Sequence, residues 1–326
     1  MNSISIIIVS WNTQELTLKC LQSIYTSFNK TEAIIIEIIV VDNNSHDGTE
    51  NAIKKEFSKV HLIESKINLG FGRANNLGIA KASNELLFFL NSDTVLQANT
   101  LQLIFDKFNQ PNYPGILGRK LIEPDGSIQK SVRGYPNFQA FLYSDTIFRL
   151  LPNLKKYYSA YRQKEFDFSK EKSVETVMGA AMLIPKKIID QVGGFDPRFF
   201  MYFEEVDLCH RIRDAGFPVL YTPEIVVTHI GGASSSQARS KMHLIYRQSM
   251  FSYFRKHHGK LKTTFFSIAF KPLFLVQTVT TVVIYGVKSI ITKFLLLDEA
   301  RTKKYTKRYK VKMNFLTHDL FSFLKS

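Results

Sequence analysis

Three stretches of this chain bring together residue types that could do chemistry. The first is Asn91-Ser92-Asp93-Thr94, which follows directly on the apolar run Leu86–Leu90. A carboxylate with an amide two residues earlier offers hard oxygen ligands. Mg²⁺ or Mn²⁺ on a diphosphate needs few such ligands from protein, because the phosphates supply others. An ordinary polar turn would use the same residues. The second stretch is Glu204-Glu205-Val206-Asp207, led in by Phe199-Phe200-Met201-Tyr202-Phe203. Acidic residues suit the first turn of any helix. A carboxyl against aromatic walls can also have its pKa raised and act as a general base on a hydroxyl. The third is Thr228-His229, followed by Ile230-Gly231-Gly232-Ala233-Ser234. A lone histidine after a strand is commonly structural, but beside a metal loop it becomes a candidate further ligand. The glycines and serines after it read as a mobile flap.

The elements that must position these residues follow from the hydrophobic pattern. Ser3–Ser10, Ile34–Val41, Val60–Ile63 and Leu86–Leu90 are short, β-branched or apolar runs of the kind buried on both faces of a sheet. Helical spacing follows each, with Leu16, Leu18, Leu21 and Ile24 after the first and Thr13 as its candidate cap. This alternation predicts an α/β fold with a mostly parallel sheet and helices on both faces. In such sheets ligands sit beyond the carboxyl ends of the strands. Asp42 closes the second strand there. Its carboxylate could take a base imide or a ribose hydroxyl, or simply hold an Asx-turn. Asn68-Leu69-Gly70-Phe71-Gly72 opens the third helix, and its glycines would admit a ligand to the backbone. Neither GxGxxG nor a Walker P-loop occurs.

Farther on, a helix is expected over Ala98–Phe108. Gly115–Leu121 and Ile128–Arg133 pair across the turn Glu123-Pro124-Asp125-Gly126, and Val174–Pro185 reads as a small-residue strand. Val219–Tyr221 and Ile225–Val227 read as two short strands. Residues 134–173, rich in Tyr, Phe and Lys, read as a lid or acceptor-side insertion. Cys20 and Cys209, both in predicted helices, read as reduced core residues. The chain enters a strand almost at once, with no signal peptide expected.

The net charge of +15 is unevenly placed. Acidic and basic residues cancel over 1–236. Residues 237–326 carry 18 Lys and Arg against only Asp298, Glu299 and Asp319. Two domains are therefore expected: a near-neutral globular domain over 1–236 and a basic, apolar helical region over 237–326. The latter holds a helix over Ala238–His258, the apolar stretch Phe265–Val287, a further apolar piece Ile290–Leu297, and a run of cations from Arg301 to Lys312. Lys271, Pro272 and Gln277 interrupt the apolar stretch. Apolar helices interleaved with cations suit an anionic membrane surface. A bilayer span or a helix pair packing in a homo-oligomer would use similar residues. Nucleic acid is disfavoured, because the cations lie among long apolar runs without a recognised binding module.

Taken in order, SIIIVSWN, VVDNNSHDGT, NLGFGRANN, FFLNSDT, GAAMLIP, GGFD, FFMYFEEVDLCHRIRDAGF and VVTHIGG resemble the family 2 inverting glycosyltransferases of the GT-A fold, in particular the bacterial rhamnosyltransferase-like group. The resemblance spans about residues 3–258. It implies a Rossmann-like nucleotide-binding sheet and a nucleotide-sugar donor. Ser10 and Trp11 would flank the nucleoside, Asp42 would read base or ribose, and Asn68, Gly70 and Asn75 would lie on the donor side. Asn91, Ser92 and Asp93 take the DxD position, with Asn replacing the first acid and Asp93 on the metal. Glu205 takes the catalytic-base position, usually Asp, in the pair Glu204-Glu205. Asp207 and Arg211 match later positions of the pattern, Asp207 beside the catalytic pair and Arg211 toward the donor. His229 matches a histidine that completes the metal site in some relatives. The resemblance implies transfer of a sugar, L-rhamnose from dTDP-rhamnose as the first choice, to a polyprenyl-diphosphate-linked or other glycan. The enzyme would then work peripherally on the cytoplasmic face of the plasma membrane. Two rivals are a sugar nucleotidyltransferase, whose GxGxR loop is replaced here by SWNTQE, and a degenerate scaffold that only docks at the membrane.

Overall fold

The computed structural model describes residues 2–27, 34–110, 113–232, 239–295 and 299–326. The greater part of the expected flap, from Ala233 on, lies outside these residues, as do Leu296 and Leu297. In chain order the elements are β1 (Ser3–Ser10), α1 (Gln14–Thr26), β2 (Ile35–Asp42), α2 (Thr49–Glu56), β3 (His61–Glu64), α3 (Phe71–Lys81), β4 (Leu86–Asn91), β5 (Thr94–Leu96) and α4 (Thr100–Phe108). Then come β6 (Ile116–Ile122), β7 (Ile128–Gln129), β8 (Val132–Arg133), α5 (Phe138–Asp145), α6 (Lys155–Tyr161), β9 (Lys172–Ser173), β10 (Thr176–Val177), β11 (Ala181–Pro185), α7 (Lys186–Val192), α8 (Glu204–Asp214) and β12 (Val219–His229). The chain closes with α9 (Arg239–His257), α10 (Lys260–Phe294), α11 (Glu299–Asn314) and α12 (Leu320–Lys325). It forms two compact units, Met1–Tyr135 with Glu165–Ser234, and Pro136–Lys164 with Ser235–Ser326.

The first unit is built on one sheet of order β3-β2-β1-β4-β11-β6-β12-β5. Its first four strands are parallel, β11 runs antiparallel to both neighbours, and β12 runs parallel to β6. Alternation along the strands feeds two cores. Ile4, Ile6, Ile8, Phe88 and Leu90 face α1 and α4 on one side. Ile7, Leu87 and Phe89 join residues of α7 and α8 on the other. Burial on both faces is why these strands read as unbroken apolar runs. Cys20 and Cys209 are free and buried, one in each core.

Several local expectations change. Val219–Tyr221 and Ile225–Val227 are one strand, β12, whose register slips against β6 between Thr222 and Val226. The expected strand Val174–Pro185 breaks at Met178-Gly179-Ala180, so that β10 pairs with β8 and β11 with β4. The fourth helix starts at Thr100, because Asn99 is left-handed (φ 63°). Thr13 precedes α1 without capping it. Its hydroxyl instead joins Ser10, Thr17 and Ser92.

One core residue breaks the burial rules. Arg119, on β6, is 1% exposed, and none of its three guanidinium nitrogens has a hydrogen-bond partner among the described residues. It lies over the Phe88 ring at 4.2 Å. Burial pushes its pKa down to about 9. At neutral pH it thus carries an unpaired charge in the core. Arg119→Met keeps the contact with Phe88 and removes the charge. It is expected to stabilise the fold by about 1–4 kcal/mol, read as a higher urea midpoint at unchanged slope.

In the second unit α10 is a single helix of 35 residues, about 52 Å long at the usual rise. Pro272 lies inside it on an exposed position and does not end it. Phe266, Phe270 and Phe274 stack along its buried side at 5.0 and 5.6 Å. Phe265, Ile268, Val276, Val279, Val283, Val287 and Ile290 remain exposed. Its mean hydropathy reaches 1.6 over 18 residues, and among the described residues it alone is long and apolar enough to cross a membrane. The basic helix α11 meets it through Ser289 and Thr306 (2.6 Å) and through Arg308 and the Tyr285 hydroxyl.

Candidate active site

Parallel pairing places the carboxyl ends of four strands in a row. Ser10 is level with Asp42, Asp42 with Glu64, and Val9 with Asn91. The loops that follow are tied together. Asn12 N donates to Ser45 Oγ (3.0 Å), His46 N to Asn12 Oδ1 (2.7 Å) and Gln14 N to Asp47 Oδ2 (2.8 Å). Trp11 is half-buried at this edge. Asp42 accepts from Ser45 N on Oδ2 (3.0 Å), while its buried Oδ1 has no partner among the described residues. That unsatisfied acceptor is a group a ligand donor would complete.

The next loop is shaped by Asn43, which the sequence reading passed over. Its Oδ1 accepts from Leu69 N (2.8 Å) and its amide donates to Asn68 Oδ1 (3.1 Å). Asn68 Oδ1 also takes Gly70 N (2.9 Å). Gly70 has φ +80°, and a Cβ there would lie 2.1 Å from Phe200 O. Only glycine lets the two loops meet, joined by Phe71 N donating to Phe200 O (2.9 Å). Two expected donor contacts turn inward instead. The Ser10 hydroxyl is buried against Thr13 and Thr17, because alternation along β1 points it toward α1. The Asn75 amide is buried and donates to Phe71 O (3.0 Å), one turn back in α3.

At the end of β4 the chain turns through Ser92 and Asp93 into β5, which pairs with the end of β12 so that Thr94 is opposite His229. Asp93 Oδ1 is thereby 3.3 Å from His229 Nε2. The Asn91 amide nitrogen is 3.4 Å from the same ring nitrogen, and the buried Asn91 Oδ1 has no partner among the described residues. Ser92 turns its hydroxyl to Thr13 (3.0 Å). Two residues missed in the sequence stand behind the ring. His229 Nδ1 meets Gln129 Oε1 at 2.6 Å, and Gln129 Nε2 donates to Glu123 Oε1 at 2.8 Å. The expected hairpin turn at Glu123–Gly126 was the available signal, since its return strand carries Gln129 toward β12. Among the described residues no three His, Cys, Asp or Glu side chains converge. A cation here would draw on Asp93, His229 and Asn91, and otherwise on its substrate.

The acidic cluster begins α8. Tyr202 and Phe203 just before it are both left-handed (φ 69° and 70°). Bulky residues pay for that conformation, and consecutive ones mark a loop held by its surroundings. Glu204 is 4% exposed with Oε2 unpartnered, and burial, then the neighbouring Glu205 charge, holds its carboxyl well above the ordinary range. Glu205 is partly exposed, and burial raises it too, against helix N–H groups and the Arg133 charge. Its β-carbon would be 3.2 Å from a Cβ at Gly179. Ala180, the next residue, accepts Asn91 N at 2.8 Å. The Gly179-Ala180 step thus joins Glu205 to the Asn91–Asp93 loop.

Asp207 and Arg211 meet one another on α8. Asp207 is fully buried and takes Arg211 Nε at 2.8 Å. Arg211 also donates to the carbonyls of Val192, Gly193 and Gly194 (2.8, 3.1 and 2.6 Å). The pair clasps the turn after α7.

A protonation consequence follows for Glu204. Because the fold raises its pKa above the ordinary 4.5, the folded protein keeps a proton that the unfolded chain releases. The group therefore opposes folding increasingly as pH rises from the ordinary carboxylate range through its raised value. Glu204→Gln is expected to raise the melting temperature at pH 8 and to leave it unchanged near pH 4.

With this geometry in place, residues 5–193 match the model of the family described as Glycosyl transferase family 2. The chain belongs to glycosyl transferase family 2. It is a glycosyltransferase with a GT-A-like fold, as its motif order implies. This family 2 enzyme is 27% identical over 235 residues to the N-acetylglucosaminyl-diphospho-decaprenol L-rhamnosyltransferase of Mycobacterium tuberculosis, covering 69% of this chain and 76% of that one. It is 26% identical over 224 residues to the rhamnosyltransferase WbbL of Escherichia coli, covering 66% and 81%. Among solved structures, the fold is like that of the mannosyltransferase PcManGT from Pyrobaculum calidifontis in complex with GDP-Man and Mn²⁺, with a TM-score of 0.54 and 14% identity over 97% of this chain and 87% of that one.

Proposed function

We propose that this enzyme transfers L-rhamnose from dTDP-rhamnose, with inversion, to a polyprenyl-diphosphate-linked glycan in bacterial cell-surface polysaccharide synthesis. The observation that carries the reading is the joined site. A buried aspartate and a histidine meet at 3.3 Å at the strand ends, and the Gly179-Ala180 step links them to a carboxyl of raised pKa. The rhamnosyltransferase names of the two relatives support the choice of sugar, and the lipid diphosphate in the name of the first supports the acceptor.

In this mechanism Asp42 and the Asn43–Gly70 loop bind and orient the nucleoside. Asp93, His229 and Asn91 Oδ1 fit a Mg²⁺ or Mn²⁺ ion by their oxygen and imidazole donors and by the unsatisfied state of Asn91 Oδ1. When bound, such an ion offsets charge on the departing diphosphate. Glu205 removes the proton from the acceptor hydroxyl as that oxygen attacks the anomeric carbon from the face opposite the leaving group. The partly dry setting that raises its pKa makes it a stronger base than an ordinary carboxylate. The exposed apolar side of α10 and the cations of α11 support attachment to an anionic membrane surface, with the enzyme peripheral on the cytoplasmic face.

A thermal-shift series with dTDP-, UDP- and GDP-sugars, each with and without Mn²⁺ or Mg²⁺, tests the donor assignment. Bound ligand raises the melting temperature by linkage. The expected result is a metal-dependent rise with the dTDP-sugar. A rise with another nucleotide alone would overturn the choice of donor.

A further inference from the structure

Gln129 and Glu123 stand behind the His229 ring and bear on what it presents. A glutamate carboxylate only accepts hydrogen bonds. Glu123 Oε1 therefore takes the NH₂ end of the Gln129 amide (2.8 Å) and turns its carbonyl oxygen toward His229. That oxygen also only accepts, so the proton in the 2.6 Å contact belongs to His229 Nδ1. A ring holding its one proton on Nδ1 presents a lone pair on Nε2. This lone pair faces Asp93 Oδ1 at 3.3 Å. In that tautomer the ring nitrogen and the carboxylate are two acceptors that a cation can share. The Asn91 amide nitrogen, 3.4 Å from Nε2, is placed to donate to the same lone pair.

We propose that Gln129, held by Glu123, is a positioning residue that fixes His229 as its Nδ1–H tautomer, so that Nε2 and Asp93 together form a preset site for a divalent cation. The site's own strand pairing makes this possible. Gln129 sits opposite Leu121 in the short hairpin β6–β7, and β12 runs beside β6 on the other side. The hairpin itself is closed by backbone bonds, Glu123 N to Ser127 O (2.8 Å) and Gly126 N to Glu123 O (2.9 Å). Replacing either side chain therefore leaves the hairpin's framework in place. Partners of this kind behind a metal-ligating histidine commonly change affinity by about 10–100-fold when lost.

The cation part of this inference rests on the function proposed above, whereas the tautomer part does not. The test therefore has two readouts on the full chain. Nitrogen-15 NMR of the histidine rings at pH 8, without metal, reports the tautomer. Calorimetric titration with Mn²⁺ alone reports the site. In the wild type His229 is expected as Nδ1–H. In Gln129→Leu it is expected to shift toward Nε2–H, with Mn²⁺ affinity lowered about 10–100-fold and an unchanged melting temperature. The double variant Q129E with E123Q reverses the outer pair, so that the new amide donates to the new carboxylate and an acceptor still faces Nδ1. It is expected to restore both readouts, which a merely structural role would not do. An Nε2–H ring in the wild type, or an unchanged ring in Gln129→Leu, would overturn the proposal. A tautomer switch without measurable Mn²⁺ binding in any variant would uphold the positioning role and overturn the cation site.

Discussion

Glu205→Gln is expected to lower kcat by about 10³-fold, in the range that a positioned general base contributes, while the KM for the donor changes by less than about twofold. The amide keeps the shape of the side chain at the start of α8 and its packing toward Gly179, where the approach leaves little room for anything larger. What it loses is the ability to take a proton. Because burial raises the Glu205 carboxyl, the wild-type kcat/KM should rise with pH along a limb lying above the ordinary carboxylate value, as the carboxyl gives up its proton and becomes a base. The neighbouring Glu204 is more deeply buried, and burial holds its carboxyl well above the ordinary range. A pH–rate profile of both proteins with single-turnover kinetics checks this. A Glu205→Gln enzyme with full turnover would move the base to another residue.

Asp93→Ala is expected to abolish the metal-dependent part of donor binding and to lower kcat/KM by at least about 10²-fold, as expected when charge stabilisation of a leaving group is removed. The loss should be larger than in His229→Ala, because only Asp93 brings a full negative charge to the cation. The local fold should survive. The turn is held by Ile230 N donating to the Asp93 carbonyl (3.0 Å) and by the β5–β12 pairing, all through the backbone. Titration of the nucleoside diphosphate into each variant, with and without Mn²⁺, separates the metal-dependent term. Unchanged Mn²⁺ dependence in Asp93→Ala would remove this residue from the site.

What could be read from the residues alone divides along physical lines. The parallel strands were legible because burial on both faces demands the β-branched runs of β1, β2 and β4. Strand ends were legible because each run stops at a polar turn, which put Asp42 and Asp93 at the ligand edge. The acidic cluster at the start of α8 was legible from its aromatic lead-in and first-turn position, while the choice of Glu205 within it came from the family resemblance. The direction of each side chain was less accessible. Ser10 lies in the right row but on the inward phase of its strand. Asp207 and Arg211, four apart on α8, look alike in sequence whether they serve a ligand or the turn after α7, and their contacts with that turn depend on the packing of α8. Gln129 and His229 lie 100 residues apart, and their meeting depends on the register of β6 with both neighbours. The break at Met178–Ala180 was hidden because small residues suit a strand and a close approach equally well. Pro272 and the polar residues of α10 suggested an interruption where one continuous helix runs.

The most direct test of the whole account is a transfer assay with the purified enzyme. It would use labelled dTDP-rhamnose, Mn²⁺ and a polyprenyl-diphosphate-linked saccharide, with the anomeric configuration of the product read by NMR. Label is expected in the lipid fraction with an inverted anomeric centre, and about 10³-fold slower formation of this product with Glu205→Gln. Retention of configuration, or undiminished transfer by Glu205→Gln, would contradict it.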